Sequence, residues 1–513
     1  MHACNTHIRC YVFGCFIYVL LLASCDNATK KENKNNINNT NNTNNTNNIN
    51  NTNNNINSCG EISTSADDVV AYEHLLACLR NDRIDLTLRA QSVEKFIQLV
   101  ESRGGFPIRT QREVIFFYVA SSVWDVEDDA HPEEDFDPQK RREPITVAGD
   151  FNNWDSETVI LQSENLGVYH ARVSFIPHET RSRYKFAART DQNELIWFSD
   201  PLSRRFLFDE NGRISLIQSG IDENGIAAGH LEWIREVPSQ RLNRTRSIYL
   251  YLPPHYEDQP QEHYPVLYMH DGNNLFDAAF PRANGSWEVD ETADALIQQG
   301  LVRSFIVVGI PNNEYRMDEY THEPDVIEGQ TMGGQGRDYA FYVAEELKPV
   351  IDARYRTLPE RTHTAVLGSS LGGLISFAIA YWYPDVFGWV GGMSSTFGWG
   401  RIGADNDLLQ DWYAAEDLIM RNQVYYLDSG GGLIQGTSCA DPNAQWRDNY
   451  CETIAFRDML VLKGIDTFPD DPDANPLTPE NINIYHWHEM GAPHNESAWA
   501  NRLHRPLRLF FGR

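Results

Sequence analysis

Between residues 59 and 102 apolar side chains recur every three or four positions: Val69, Leu75, Leu76 and Leu79, then Val93, Phe96, Ile97 and Val100. That spacing predicts helix, and Gly104-Gly105 followed by Pro107 ends it. No chemistry-bearing motif accompanies the stretch, so a packing role is expected. From about Arg109 to Ser219 the period changes and short strands take over, at Val114–Ala120, Ile145–Ala148, Val168–Val173, Tyr184–Ala188 and Ile214–Ile217. Glycines and Asp/Asn clusters punctuate them, the pattern of an all-β sandwich. Residues 220–240 read as a connection. Beyond Arg244, strand-like runs at Ser247–Leu252, Pro265–Met269 and Phe305–Ile310 precede a helix predicted over Asp338–Ala353 and a further apolar run at Ala365–Leu367. Strands alternating with helices imply a mostly parallel sheet.

The start of the chain follows neither pattern. Tyr11–Leu22 is largely apolar but short for a bilayer span. It runs into Leu22-Ala23-Ser24-Cys25, which resembles the lipobox of bacterial lipoproteins. The resemblance implies a signal peptide over 1–25, a lipidated Cys25 and a place in the bacterial cell envelope, facing the periplasm or the cell surface. Asn27–Asn57 is nearly all Asn, Thr and Lys, so residues 26–57 are expected to form a disordered tether. With Cys4, Cys10 and Cys15 leaving in the signal and Cys25 taking lipid, four cysteines stay behind. An even number suits an oxidising compartment. Proximity favours Cys59–Cys78 and Cys439–Cys451, one of three possible connectivities. The net charge of −29 argues against a nucleic-acid partner.

The candidate chemistry centres on Thr362–Ile375, THTAVLGSSLGGLI. A short strand, a tight turn and then a helix is the context in which G-x-S-x-G forms a nucleophile elbow. Ser370 would be the exposed nucleophile, and Leu371 N–H, at the first turn of the helix, one oxyanion donor. A serine hydroxyl needs a base, and three histidines compete near the C-terminus: His486, His488 and His494. His486 and His488 alternate along Ile482–His488 and share a face. His494 lies beyond Gly491-Ala492-Pro493 on a loop and is favoured as the base. For the acid, Asp428 at the end of the strand-like run Gln423–Leu427 is favoured, with Asp441 and Asp448 as alternatives.

Several stretches match one family in order: SIYLYLPPHYE (Ser247–Glu257), PVLYMHDGNNLFD (Pro265–Asp277), ELKPVIDARYRT (Glu346–Thr357), GSSLGG (Gly368–Gly373) and APHNESAW (Ala492–Trp499). Residues 244–513 thus resemble the esterase D family of α/β-hydrolases, which includes feruloyl, acetylxylan and enterochelin esterases. The resemblance implies a serine esterase without a cofactor or metal. It points to Asn273 N–H as the second oxyanion donor and to Arg316, Glu319 and Trp287 as substrate contacts. Many relatives carry their acid where this chain has Gly432, Leu433 and Ile434, which leaves the third member of the triad open. Upstream, VAGDFNNWD (Val147–Asp155) and RYKFA (Arg183–Ala187) resemble E-set, carbohydrate-binding-module-like domains. Phe151, Trp154 and Trp197 would then stack on a sugar, or Phe151 and Trp154 would fill the sandwich core of a domain that docks on its neighbour.

The expected architecture is a helical segment (58–108), an E-set-like sandwich (109–222) and an α/β-hydrolase domain (223–513). The expected substrate is an acylated polysaccharide or a siderophore trilactone. Acyl transfer by the same site, a non-catalytic glycan-binding lipoprotein and a metal-dependent hydrolase using His486 and His488 are the other readings.

Overall fold

The computed structural model describes residues 59, 67–120, 142–174, 180–190, 192–209, 212–221, 225–276, 285–434, 438–440, 446–465 and 484–513. Cys25, the signal-like segment, the Asn-rich stretch and Asp441 lie outside the described residues. Among those described, no helix is long and apolar enough to cross a membrane.

Six parallel strands form one half of a large sheet. In spatial order they are Ile484–His488, Val424–Ser429, Trp389–Met393, Thr364–Ser369, Val266–His270 and Ile306–Ile310. The central strands are buried along their whole length, as expected for parallel strands covered by helices on both faces, and this is why they read as uninterrupted apolar runs. The helix Leu371–Trp382 follows the strand Thr364–Ser369, and its residues from Leu371 to Ala380 are all buried. The helix predicted over 338–353 is present as Gly336–Arg354, with a wider π-type turn at Tyr342–Leu347 in its middle.

The sheet continues beyond Ile306–Ile310. Arg244–Leu252 pairs antiparallel with it, His230–Ser239 pairs with Arg244–Leu252, and Arg205–Asp209 joins next. Gly212–Gln218, Ser182–Arg189 and Arg142–Gly149 complete the order, and Leu195–Phe198 pairs with Ser182–Arg189 on the side. The expected connection over 220–240 is therefore corrected, because His230–Ser239 is a strand. Its charged residues hid it. Glu232 and His230 are buried, and Glu232 is satisfied by Arg204 at 2.7 Å and by the Tyr355 hydroxyl at 2.9 Å. A bulge between Ile234 and Val237, with Glu236 at φ +49°, breaks the alternation further.

A second antiparallel sheet, Ile108–Arg109, Glu113–Val119, Val168–Ser174 and Gln162–Ser163, packs over this end. The strand Glu113–Val119 serves two cores. Val114, Phe116 and Tyr118 meet Val147, Tyr184 and Phe186 of the large sheet, while Ile115, Phe117 and Val119 meet Tyr72, Leu75, Phe96 and Ile97. The latter come from two helices, Asp68–Leu79 and Leu86–Glu101, capped by the side chains of Asp67 and Asp85. The helical stretch thus roofs the outer face of the small sheet. Cys59 and Cys78 are disulfide-bonded, as are Cys439 and Cys451.

Candidate active site

Ser370 sits between the strand Thr364–Ser369 and the helix Leu371–Trp382 at φ +55°, ψ −122°. That backbone region is strained for a residue with a side chain, and the surroundings hold it there. Ser370 N–H donates to Met393 O at 3.0 Å, and Thr396 N–H donates to Ser370 O at 3.1 Å. The turn needs its glycines unequally. A Cβ on Gly368 would lie 2.5 Å from the Gly372 backbone, whereas one on Gly372 would meet Asp271 Oδ2 at 3.2 Å. Gly368 allows the turn to close, and Gly372 lets the helix start approach the loop after the strand Val266–His270. Leu371 is the first residue of the helix, where N–H groups have no partner within the helix.

That neighbouring loop carries Asn273 in the short turn Gly272–Asn274, after Asp271 at φ +57°. The Asp271 carboxylate accepts from Arg316 Nε at 2.6 Å, Arg316 Nη2 at 2.9 Å and Asn312 Nδ2 at 2.5 Å. Burial pushes the Asp271 carboxyl up, but the Arg316 guanidinium outweighs it and leaves it below the usual carboxylate range. Arg316 is thus committed to clamping this loop. Glu319, expected as a substrate contact, is completely buried and takes up Arg244 at 3.1 Å and Arg246 at 2.6 Å. Trp287 is also buried, 2 % exposed, and packs against Trp499 with ring centroids 5.5 Å apart. Both are corrected to interior roles. Their short distance along the chain from polar site residues concealed that they point into the core.

The histidine loop ends where Asn495 caps the helix Glu496–Phe511, its side chain accepting from Ala498 N–H at 3.0 Å. His494 therefore projects from the turn just before the helix, with 38 % of its side chain exposed. Its Nδ1 lies 2.6 Å from Asp448 Oδ1. Carboxylate oxygens accept, so Nδ1 carries the hydrogen and Nε2 is left as a lone-pair acceptor. Asp448 and Asn449 adopt left-handed backbone conformations, φ +58° and +53°, just before the helix Tyr450–Leu462. Asp and Asn tolerate that conformation better than other residues with side chains.

Asp428, the acid favoured from sequence, is elsewhere engaged. It is fully buried and accepts from Arg502 Nε at 3.1 Å, Arg502 Nη2 at 3.2 Å and the Tyr426 hydroxyl at 2.8 Å. Burial holds its carboxyl above the ordinary value, with Arg502 offsetting only part of the rise. The structure brings Asp448, and not Asp428, to His494.

Two further residues close the ring. Ser370 Oγ lies 3.3 Å from Thr396 Oγ1, and Asn449 Nδ2 donates to Thr396 Oγ1 at 3.2 Å. Contacts therefore run from Ser370 through Thr396 to Asn449, the residue beside Asp448. No motif announced Thr396 or Asn449; the one available signal was an Asp-Asn pair immediately before a helix. His486 and His488 stay apart from this group. Burial lowers His486 to about 4, and Arg457 reinforces the drop. His488 Nδ1 lies 3.2 Å from Ser429 O. Among the described residues no group of three metal-ligating side chains is assembled.

Residues 239–447 match the family model described as "Putative esterase". Over 162 residues the chain is 30% identical to "Uncharacterized protein YbbA" of Bacillus subtilis, an alignment covering 31% of this chain and 60% of that relative. Over 166 residues it is 28% identical to the endo-1,4-beta-xylanase/feruloyl esterase of Xylanibacter ruminicola, covering 30% of this chain and 20% of that protein. The chain thus spans less than two thirds of the length of either relative. Among solved structures a ferulic acid esterase is similar with a TM-score of 0.40 and 17% identity, covering 56% of this chain and 98% of the other.

Proposed function

We propose that the protein is a serine carboxylic-ester hydrolase working through an acyl-enzyme at Ser370, a reading supported by the match of residues 239–447 to the esterase model. The observation that carries this reading is the Asp448–His494 contact of 2.6 Å, in a chain with a strained strand–turn–helix elbow at Ser370. Ser370 Oγ attacks the ester carbonyl while His494 Nε2 takes its proton. Asp448 holds the imidazole tautomer and steadies the imidazolium that forms. The N–H groups of Leu371 and Asn273 receive the charge that develops on the carbonyl oxygen, and the Arg316–Asp271 clamp fixes the loop bearing Asn273. His494 then protonates the departing alcohol, and water activated by the same base releases the acid.

The substrate class we favour is an acylated polysaccharide. The named feruloyl esterase relative supports it, and so does the two-sheet module read as E-set-like. There Trp154 and Trp197 stand 6.2 Å apart, with Trp197 39% exposed, while Phe151 stacks on Phe116 and belongs to the core. A siderophore trilactone is the alternative. We also place the chain in a bacterial cell envelope through lipid on Cys25.

A fluorophosphonate probe tests the reaction class. Wild type should be labelled and Ser370→Ala should not; equal labelling of both, or none of wild type, overturns the reading. Methyl ferulate, acetylated xylan and a catecholate trilactone then sort the substrates by kcat/KM.

A further inference from the structure

Asp448 has a second oxygen with surroundings of its own. Asp448 Oδ2 accepts from Ser394 Oγ at 2.6 Å and from the Gly430 N–H. Ser394 follows the strand Trp389–Met393, is completely buried and sits at φ +47°. Its N–H donates to Asp428 O at 2.9 Å, and its carbonyl accepts from Asn449 Nδ2 at 2.8 Å. The backbone of Ser394 is thus pinned on both sides.

The hydroxyl is more informative. It has one hydrogen and two lone pairs. Trp499 Nε1 lies 3.2 Å from Oγ and Arg502 Nη2 lies 3.1 Å from it. Indole and guanidinium N–H groups donate and cannot accept. Both lone pairs are therefore engaged, and the hydrogen is directed at Asp448 Oδ2. Arg502 is held in turn by its fork onto Asp428 and by Glu489 at 3.4 Å.

We propose that Ser394 is a positioning residue for the ester hydrolysis. Arg502 and Trp499 force its hydroxyl to donate in one direction, and that bond locks the Asp448 carboxylate in the orientation that presents Oδ1 to His494. Asp428 acts two steps further back, as the counter-charge that keeps Arg502 in place. Ser394 touches no substrate, being fully enclosed. This inference rests on the esterase reading above.

Ser394→Ala and Ser394→Gly test it. Both remove the hydroxyl, and glycine accepts the positive φ without strain, so it keeps the test open if the alanine variant does not fold. The expected result is a fall in kcat of about 10-fold with KM within about two-fold of wild type, because the interaction serves the transition state and not substrate binding. The downfield proton resonance of His494 Nδ1–H should shift or broaden in the same variants, which a merely structural role would leave in place. A kcat within about two-fold of wild type together with an unmoved resonance overturns the proposal. Fluorophosphonate labelling of wild type runs alongside. An unlabelled wild type overturns the esterase reading itself, whereas a labelled wild type with unaffected Ser394 variants overturns this inference alone.

Discussion

Asp448 lies close enough to Asp428 to add to the rise of the Asp428 carboxyl, yet their surroundings separate them. Asp428 ends a strand in full burial against Arg502, whereas Asp448 sits on a left-handed turn that turns one oxygen toward His494. Their variants should therefore fail differently. Asp448→Ala is expected to lower kcat by roughly 10⁴, the scale of losing the acid of such a triad, with a stability loss of about 1–3 kcal/mol from the donors it strands, the Ser394 hydroxyl and Gly430 N–H. Asp428→Ala strips a buried arginine of its counter-charge and should destabilise the fold by roughly 3–5 kcal/mol, while a folded fraction keeps far more activity. Steady-state kinetics beside thermal melts distinguish the two. The favoured acid was misplaced because a strand-end aspartate before glycines is visible in the chain, whereas a partner contact with an arginine 74 positions away is not. The turn at Ser370 and the loop carrying His494, by contrast, are legible in the chain because the glycines and the capping asparagine that shape them are their near neighbours.

Two other carboxyls give a titration that can be read in stability. Burial raises Asp200, bonded to the Tyr184 hydroxyl at 2.6 Å, to about 6, and burial likewise raises Asp294, bonded to the Tyr251 hydroxyl at 2.6 Å, to about 6. In both the folded value lies above the unfolded one, near 3.8. The folded state thus binds these protons more tightly, and the contribution is full below the unfolded value and lost as pH rises through about 6. On their account the urea midpoint should rise between pH 7 and pH 5, and Asp294→Asn should remove about half of that rise. A slope unchanged in the variant would assign the effect elsewhere.

At the scale of elements, Asp448 lies beside a disulfide. Cys439 is bonded to Cys451 in the first turn of the helix Tyr450–Leu462, and Asp448 lies between the two. Opening the clasp frees the approach to Asp448 while leaving the sheet untouched. Cys439→Ser/Cys451→Ser should cost about 2–3 kcal/mol in denaturant unfolding and should lower kcat by a larger factor than it raises KM. Equal kinetics with only the stability loss would make the clasp purely structural. The parallel strands were readable because each is a run of apolar residues in a doubly covered sheet. The strands Arg205–Asp209 and His230–Ser239 were not, because Arg205, His230 and Glu232 are buried as partners of one another, and pairing of that kind leaves no periodic trace.

Among the described residues, the antiparallel end and the parallel strands share one hydrogen-bonded sheet. Arg204 ties the two ends through Glu232 and the Tyr355 hydroxyl, at 2.7 and 2.9 Å. A chain beginning at residue 223 keeps every strand of the parallel half but loses Arg204 and Arg205. Glu232 is then left buried without its cations, and the edge of His230–Ser239 is open to other chains. Such a protein should emerge from expression as aggregate or melt well below the full chain. If it were soluble with an unchanged melting temperature, the shared sheet would be dispensable. The same continuity has a geometric corollary. A module on a loose linker samples every heading, but one stitched rung by rung into its neighbour keeps a fixed bearing. The strand bearing Trp197 therefore keeps one orientation relative to the turn at Ser370.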